Sequence, residues 1–187
     1  RDGETYRVYG PGGFLGLGAK VMEKLGVATQ LIAPGEIYQA LQLGTLDAAE
    51  FSTPQMDLKL GFYQVAKYYY LPGWHQQSTA IDLLVNKKKW DALSDTQKAV
   101  LEQACGDSIR DTIANGEASQ FVALKEMKAK GAELRTWSPE FIAAFEKAWH
   151  EVAQEEAEKN PNFKKVFESY SNFRKEYAIW RENGMLK

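Results

Sequence analysis

Near the end of the chain, Phe163, Val166, Phe167, Tyr170, Phe173, Tyr177 and Trp180 fall at steps of three and four. That spacing sets all seven on one stripe of a helix that begins near Asn162 and ends before Gly184. The stripe is rich in aromatics, each contributing about 1.5–3 kcal/mol when buried. It therefore has to pack on its own chain or on a second subunit. The preceding segment, 139–159, predicts another helix. Ser138 is its N-cap, Pro139 stands at the first helical position, and Asn160-Pro161 stops it. Ser94 and Gln97 have the spacing of a capping box. A helix is expected from there to about residue 130, with a break near Asn115-Gly116 and an end at Gly131. A short strand over 132–137 follows.

The first part of the chain reads differently. Short β-prone runs at 6–9, 28–32 and 46–51 alternate with helical patterns. Leu15, Ala19, Val21, Met22 and Leu25 mark the first helix, closed by Gly26; Ile37, Ala40 and Leu41 mark the second, which ends at Gly44. The order β-α-β-α-β predicts parallel pairing and an α/β lobe. Beyond it, 54–63 reads as helix and Tyr68-Tyr69-Tyr70-Leu71 as strand ended by Pro72-Gly73. Residues 79–85 read as a further strand, with Ile81, Leu83 and Val85 on one face. The predicted division is 1–80 as an α/β ligand-binding segment and 81–187 as a hinge strand with a mostly helical region.

Composition narrows the function classes. A length of 187 residues suits one or two small lobes, and the 44% hydrophobic and 26% charged fractions are those of a globular protein. A net charge of −2 gives no global basic field, so nucleic acid is not an expected partner. The run Lys87-Lys88-Lys89 reads as a solvated turn. The single cysteine, Cys105, excludes an intrachain disulfide and any multi-cysteine metal site. Lying among Val100, Leu101 and Ala104, it is expected in the core. No stretch reaches the roughly 18 apolar residues of a membrane span.

Several residues carry candidate chemistry. Gly12-x-x-x-Gly16-x-Gly18 after a strand is dinucleotide-like, and Tyr63-x-x-x-Lys67 would complete a short-chain NAD(P)-dependent oxidoreductase. Against that reading, Ala33-Pro34 ends the second strand without the acid that holds a ribose hydroxyl. The Tyr–Lys pair also stands much closer to the glycines than that family places it. The other reading of Gly10, Gly12 and Gly13 is a tight turn whose amides face an anion. Arg7 is either a surface residue or a fork of N–H donors for a carboxylate. Glu50-Phe51 ends the third strand, where ligands gather in open α/β sheets. Glu50 there holds a cation, serves in catalysis or is simply exposed. No second acid is spaced for a glycosidase pair. His75 reads as structural, and His150 lies far off on a helix. No histidine spacing suits zinc, which leaves a hard cation held by oxygens.

Three stretches together resemble the solute-binding (receptor) subunits of TRAP transporters, the DctP-type family. They are Tyr6-Arg7-Val8-Tyr9-Gly10, the long run 34–50 from Pro34-Gly35-Glu36-Ile37-Tyr38 to Asp47-Ala48-Ala49-Glu50, and Tyr68-Tyr69-Tyr70-Leu71-Pro72-Gly73-Trp74-His75 continuing to Leu84-Val85-Asn86-Lys87-Lys88-Lys89-Trp90. The last is closest to the branch that binds 2-oxo and 2-hydroxy monocarboxylates such as pyruvate or lactate. The resemblance covers nearly all of this chain but only about the second half of the family, whose first lobe is largely absent. It implies a periplasmic binding protein of type II-like fold, here one α/β lobe with several long C-terminal helices. It also implies a non-enzymatic protein that hands an organic acid to a membrane permease, with a signal peptide in a preceding region. Arg7 matches the arginine that pairs with the substrate carboxylate. Glu50 matches an acid that, in the oxo-acid branch, helps hold a sodium or calcium ion bridging to the ligand. Phe51 stands where that branch has tryptophan, whose backbone carbonyl is a metal ligand. Gln76 stands where the branch often has glutamate, which removes one negative charge from the cation site. Tyr38 and Phe51 are placed to wall the apolar side of the ligand or to join the core. The terminal helix is implied in a homodimer, since that branch exchanges such a helix between subunits. A chain with one lobe is expected to bind pyruvate weakly or not at all.

Overall fold

The computed structural model describes residues 7–9, 16–74, 76, 79 and 81–184. They form two units, and the chain passes between them more than once.

In the first unit, three short parallel strands lie in the order β2-β1-β3. β1 (Arg7–Tyr9) is central. Its Arg7 stands opposite Ala28 of β2 (Ala28–Gln30), and its Tyr9 opposite Ala49 of β3 (Ala48–Ala49). Parallel neighbours cannot be joined by a tight hairpin, and α1 (Leu17–Lys24) supplies the crossover from β1 to β2. The chain leaves α1 through Gly26 at φ +76°, a left-handed turn that suits a residue without Cβ. One face of α1 packs on α6 (Pro139–Lys159), burying Val21, Met22, Ala148, Val152 and Ala153. On the rim, Lys20 pairs with Glu156 and Lys24 with Glu155, each at 2.6 Å. Ser138 caps α6 as its sequence requires, and Asn160 caps α7 (Pro161–Asn183) by accepting from the amides of Asn162 and Phe163. The aromatic stripe of α7 is covered only at its start. Phe163 stacks on Phe167, which meets the Trp149 ring edge-on at 6.3 Å, whereas Val166, Tyr170, Phe173, Tyr177 and Trp180 stay exposed.

The second unit is mostly helical: α2 (Pro34–Gln42), α3 (Pro54–Lys59), a 3-10 turn (Phe62–Gln64), β4 (Tyr68–Leu71), α4 (Lys87–Asp91), α5 (Asp95–Ala129) and β5 (Glu133–Thr136). Its core is Ile37, Phe62, Ala123, Met127 and Ala132. β4 and β5 pair in parallel, Tyr68 opposite Glu133 and Leu71 opposite Thr136. Tyr70 stacks on Trp137 at 4.6 Å, and the Trp137 indole donates to the Pro72 carbonyl. The capping box at Ser94 and Gln97 starts α5.

The fold is mixed α/β as the pattern implies, with corrections. α5 runs unbroken through Asn115-Gly116. A single helical glycine costs only about 1 kcal/mol, and here Ser119 and Gln120 both donate to the Gly116 carbonyl. The helix expected over 54–63 is split at Gly61, at φ +75°. The strand expected over 79–85 does not form: residues 81–86 are irregular, with Ile81, Leu83 and Leu84 exposed. Alternation alone does not make a strand; the ladder needs a neighbour to accept and donate, and among the described residues no strand pairs with this segment. Cys105 is exposed rather than in the core. On α5 only Ala123 and Met127 are buried, so the apolar positions around Cys105 have no covering face.

Candidate functional site

The glycines at 10, 12 and 13 and His75 lie outside the described residues. Arg7 opens β1, and its side chain is likewise outside them. The remaining predicted residues, Tyr38, Glu50, Phe51 and Gln76, all belong to the second unit.

Glu50 follows the last residue of β3 directly, at the carboxyl end of a parallel strand. It is half-buried. Burial first, and then the nearby charge of Asp57, push its carboxyl up to about 7. The half-buried Phe51 ring meets Phe62 edge-on at 5.8 Å. Tyr38, on α2, donates its hydroxyl to Gln64 at 3.4 Å. Gln76 is exposed, beyond Pro72, and its amide donates to the Thr79 hydroxyl at 2.6 Å. Tyr63 and Lys67 do not act as a pair. Lys67 bridges to Glu133 at 2.9 Å, and the Tyr63 oxygen takes the Lys130 ammonium at 3.3 Å. The spacing is right for one helical face, but Gly61 ends the helix before either residue.

The residue that sequence reasoning missed is Asp57. An acid in the first turn of a helix behind a proline looks like an ordinary partner of the helix dipole, so nothing in the pattern marks it as buried. Yet it is 5% exposed. Its Oδ2 accepts the Tyr69 hydroxyl at 2.7 Å, while Oδ1 completes no hydrogen bond. Burial raises its carboxyl to about 6, against a downward pull from the Tyr69 hydroxyl and the Ser52 backbone amide. Tyr69 is pushed well above the usual phenol range by burial, by the Asp57 charge and hydrogen bond, and by the Glu50 charge.

Two carboxyls thus share a partly dry region. Among the described residues no lysine or arginine forms an ion pair with either. Uncompensated negative charge and an orphaned buried oxygen suit a hard, oxygen-loving cation. Among the described residues no three acids, histidines or cysteines cluster, so any such ion would rely on carbonyl, amide or ligand oxygens as well.

The same two groups set a pH dependence. Both folded-state values lie above the ordinary ones of 4.5 and 3.8, so the folded chain binds these protons more tightly than the unfolded chain does. The resulting stabilisation is complete below about pH 4 and is lost as pH rises through about 6 and 7. In metal-free buffer the melting temperature is expected to fall between pH 5 and pH 8. Glu50→Gln should flatten that slope; a variant as steep as the parent would take Glu50 out of the linkage.

Residues 16–160 match the family of bacterial extracellular solute-binding proteins, family 7, known as DctP. A monocarboxylate 2-oxoacid-binding periplasmic protein of Nostoc sp. is 36% identical over 165 residues, 88% of this chain and 45% of that protein. A TRAP transporter solute-binding protein of Bordetella bronchiseptica, crystallised as a dimer with calcium and picolinate in one site, superposes with a TM-score of 0.85 at 39% identity. The match covers 96% of this chain and 52% of that one. A TRAP periplasmic solute-binding protein of Colwellia psychrerythraea with bound calcium and pyruvate superposes with a TM-score of 0.84 at 28% identity, over 94% of this chain and 53% of that one. The chain spans about half the length of the relatives it matches.

Proposed function

The chain belongs to the family 7 (DctP) bacterial extracellular solute-binding proteins, and from that membership we propose that it is part of a periplasmic receptor for a small organic acid. The acid is a 2-oxo or 2-hydroxy monocarboxylate such as pyruvate or lactate, passed on to TRAP membrane permease subunits. The family is one of binding proteins, which replaces the oxidoreductase alternative.

In this reading Arg7 clamps the substrate carboxylate with two parallel N–H donors. Glu50, the Phe51 carbonyl and the Gln76 amide oxygen hold a calcium or sodium ion. Bound there, the ion supplies positive charge to the oxygen at carbon 2 of the ligand. Tyr38 and the Phe51 ring close the apolar side, and a second copy of the chain docks through α7. The observation that carries the reading is Glu50: a half-buried acid at the carboxyl end of a parallel strand, with no counter-ion pairing among the described residues. A cation bound with a 2-oxo acid would bring positive charge to these carboxyls.

The test is calorimetric titration of pyruvate and lactate into the complete gene product, with calcium and again with a chelator. Saturable binding that weakens at least tenfold on chelation is expected. Absence of heat for every 2-oxo and 2-hydroxy acid in both buffers would overturn the reading.

A further inference from the structure

α5 is 35 residues long, about 52 Å, whereas α3 spans 6 residues, about 9 Å. α3 packs against α5, where the Gln55 amide donates to the Gln120 side chain at 3.1 Å. The buried residues of α5, Ala123 and Met127, both lie toward its C-terminal end. Five turns of helix take about 18 residues, so a side chain that many positions earlier leaves the axis in the same direction. Eighteen before Ala123 is Cys105, and eighteen before Met127 is Ile109. The face that is buried at one end of α5 therefore continues along its first half, and there it is bare. Cys105 is exposed, and Ile109 and Ile113 are each 63% exposed. Between Glu102 and Gln120 this side carries no charged residue; Thr112 and Gly116 lie on it with Cys105, Ile109 and Ile113. The charges stand on the opposite side, where Asp107 pairs with Arg110 at 3.2 Å and Asp111 accepts from the Asn115 amide at 2.6 Å. An apolar side and a polar, ion-paired side are the division of a helix that packs on something.

We propose that the Cys105–Ile113 face of α5 is a packing surface, covered in the complete gene product by polypeptide outside these 187 residues. This goes beyond the receptor reading and does not depend on which ligand is bound. Three observations select that occupant. The relatives with which the chain aligns along most of its length are about twice as long: it covers 45% of the Nostoc protein and 52% of the Bordetella one. The bare face also continues one that is buried within this chain's own fold, so covering it extends an existing core and adds apolar burial to it. Finally, the face lacks the charges with which a nucleic acid, a lipid headgroup or an acidic protein would pair.

The experiment uses the complete gene product, with Cys105 as the reporter. Its alkylation by iodoacetamide is timed in the native and in the urea-unfolded protein, and read by mass spectrometry of the peptide that carries it. Native alkylation is expected to be at least about tenfold slower, because the thiol reacts only when the cover opens. A smaller difference leaves the face in water and overturns the proposal. The native rate should hold constant on dilution. Protection lost on dilution identifies a second copy as the cover and overturns it too. Ile113→p-benzoylphenylalanine, irradiated in the folded protein, then identifies what lies against the face. Cross-links to peptides outside residues 1–187 are expected. Cross-links confined to residues 1–187 overturn the proposal. Should position 113 not tolerate the probe, Thr112→p-benzoylphenylalanine carries it on the same side. No ligand enters either measurement, so a failure here leaves the receptor reading standing, and a failure to bind any 2-oxo acid leaves this one.

Discussion

Alanine at position 7 is expected to lower the affinity of the complete gene product for pyruvate by a factor of about 10²–10³. Removing one partner of a buried, hydrogen-bonded charge pair costs about 2–5 kcal/mol, and each 1.4 kcal/mol is about tenfold in affinity. The loss is large because the carboxylate stays charged and loses both N–H donors at once. Lysine should recover only part of it, since a point charge cannot match the two oxygens side by side. Calorimetry of the alanine and lysine variants measures both steps. An unchanged dissociation constant for Arg7→Ala removes Arg7 from the site. Arg7 stands in the central strand of the first unit, whereas Glu50 opens a segment of the second.

The second large effect concerns stability. Met127 lies near the end of α5 and is 1% exposed, beside Ala123 on the buried face of that helix. Truncation to alanine removes its buried atoms and leaves a void, a change that costs about 2–5 kcal/mol. Denaturant unfolding of Met127→Ala should show a clearly lower midpoint with the same slope. A loss below about 1 kcal/mol would mean that the site collapses around the gap or that this end of α5 is not part of the core.

What the sequence made legible was local. Ser94 with Gln97 and Ser138 ahead of Pro139 mark helix starts through bonds that close within three residues, while Asn160-Pro161, read as a stop, also caps the helix that follows. No distant partner is needed to satisfy them. The parallel pairing was readable for a similar reason, since strands joined through helices run the same way. The failures share the opposite property. Residues 79–85 have the alternation of a strand, but a strand is completed by its neighbour. Cys105 sits in an apolar run on α5, but burial depends on what covers the run. Asp57 was invisible because its significance comes from Tyr69, twelve residues away, and from the fold of α3 against β4. Glu50, by contrast, was found from its position at a strand end, though not the second acid that shapes its behaviour.

The irregular segment after β4 has a consequence for handling. Ile81 is 92% and Leu84 89% exposed, and Lys87, Lys88 and Lys89 follow almost at once. Aliphatic runs of this kind invite self-association into cross-strand assemblies, and flanking cations act as gatekeepers by mutual repulsion. That repulsion weakens as the Debye length contracts from about 10 Å at 0.1 M salt to about 3 Å at 1 M. Concentrated salt should therefore bring the chain out of solution through this stretch.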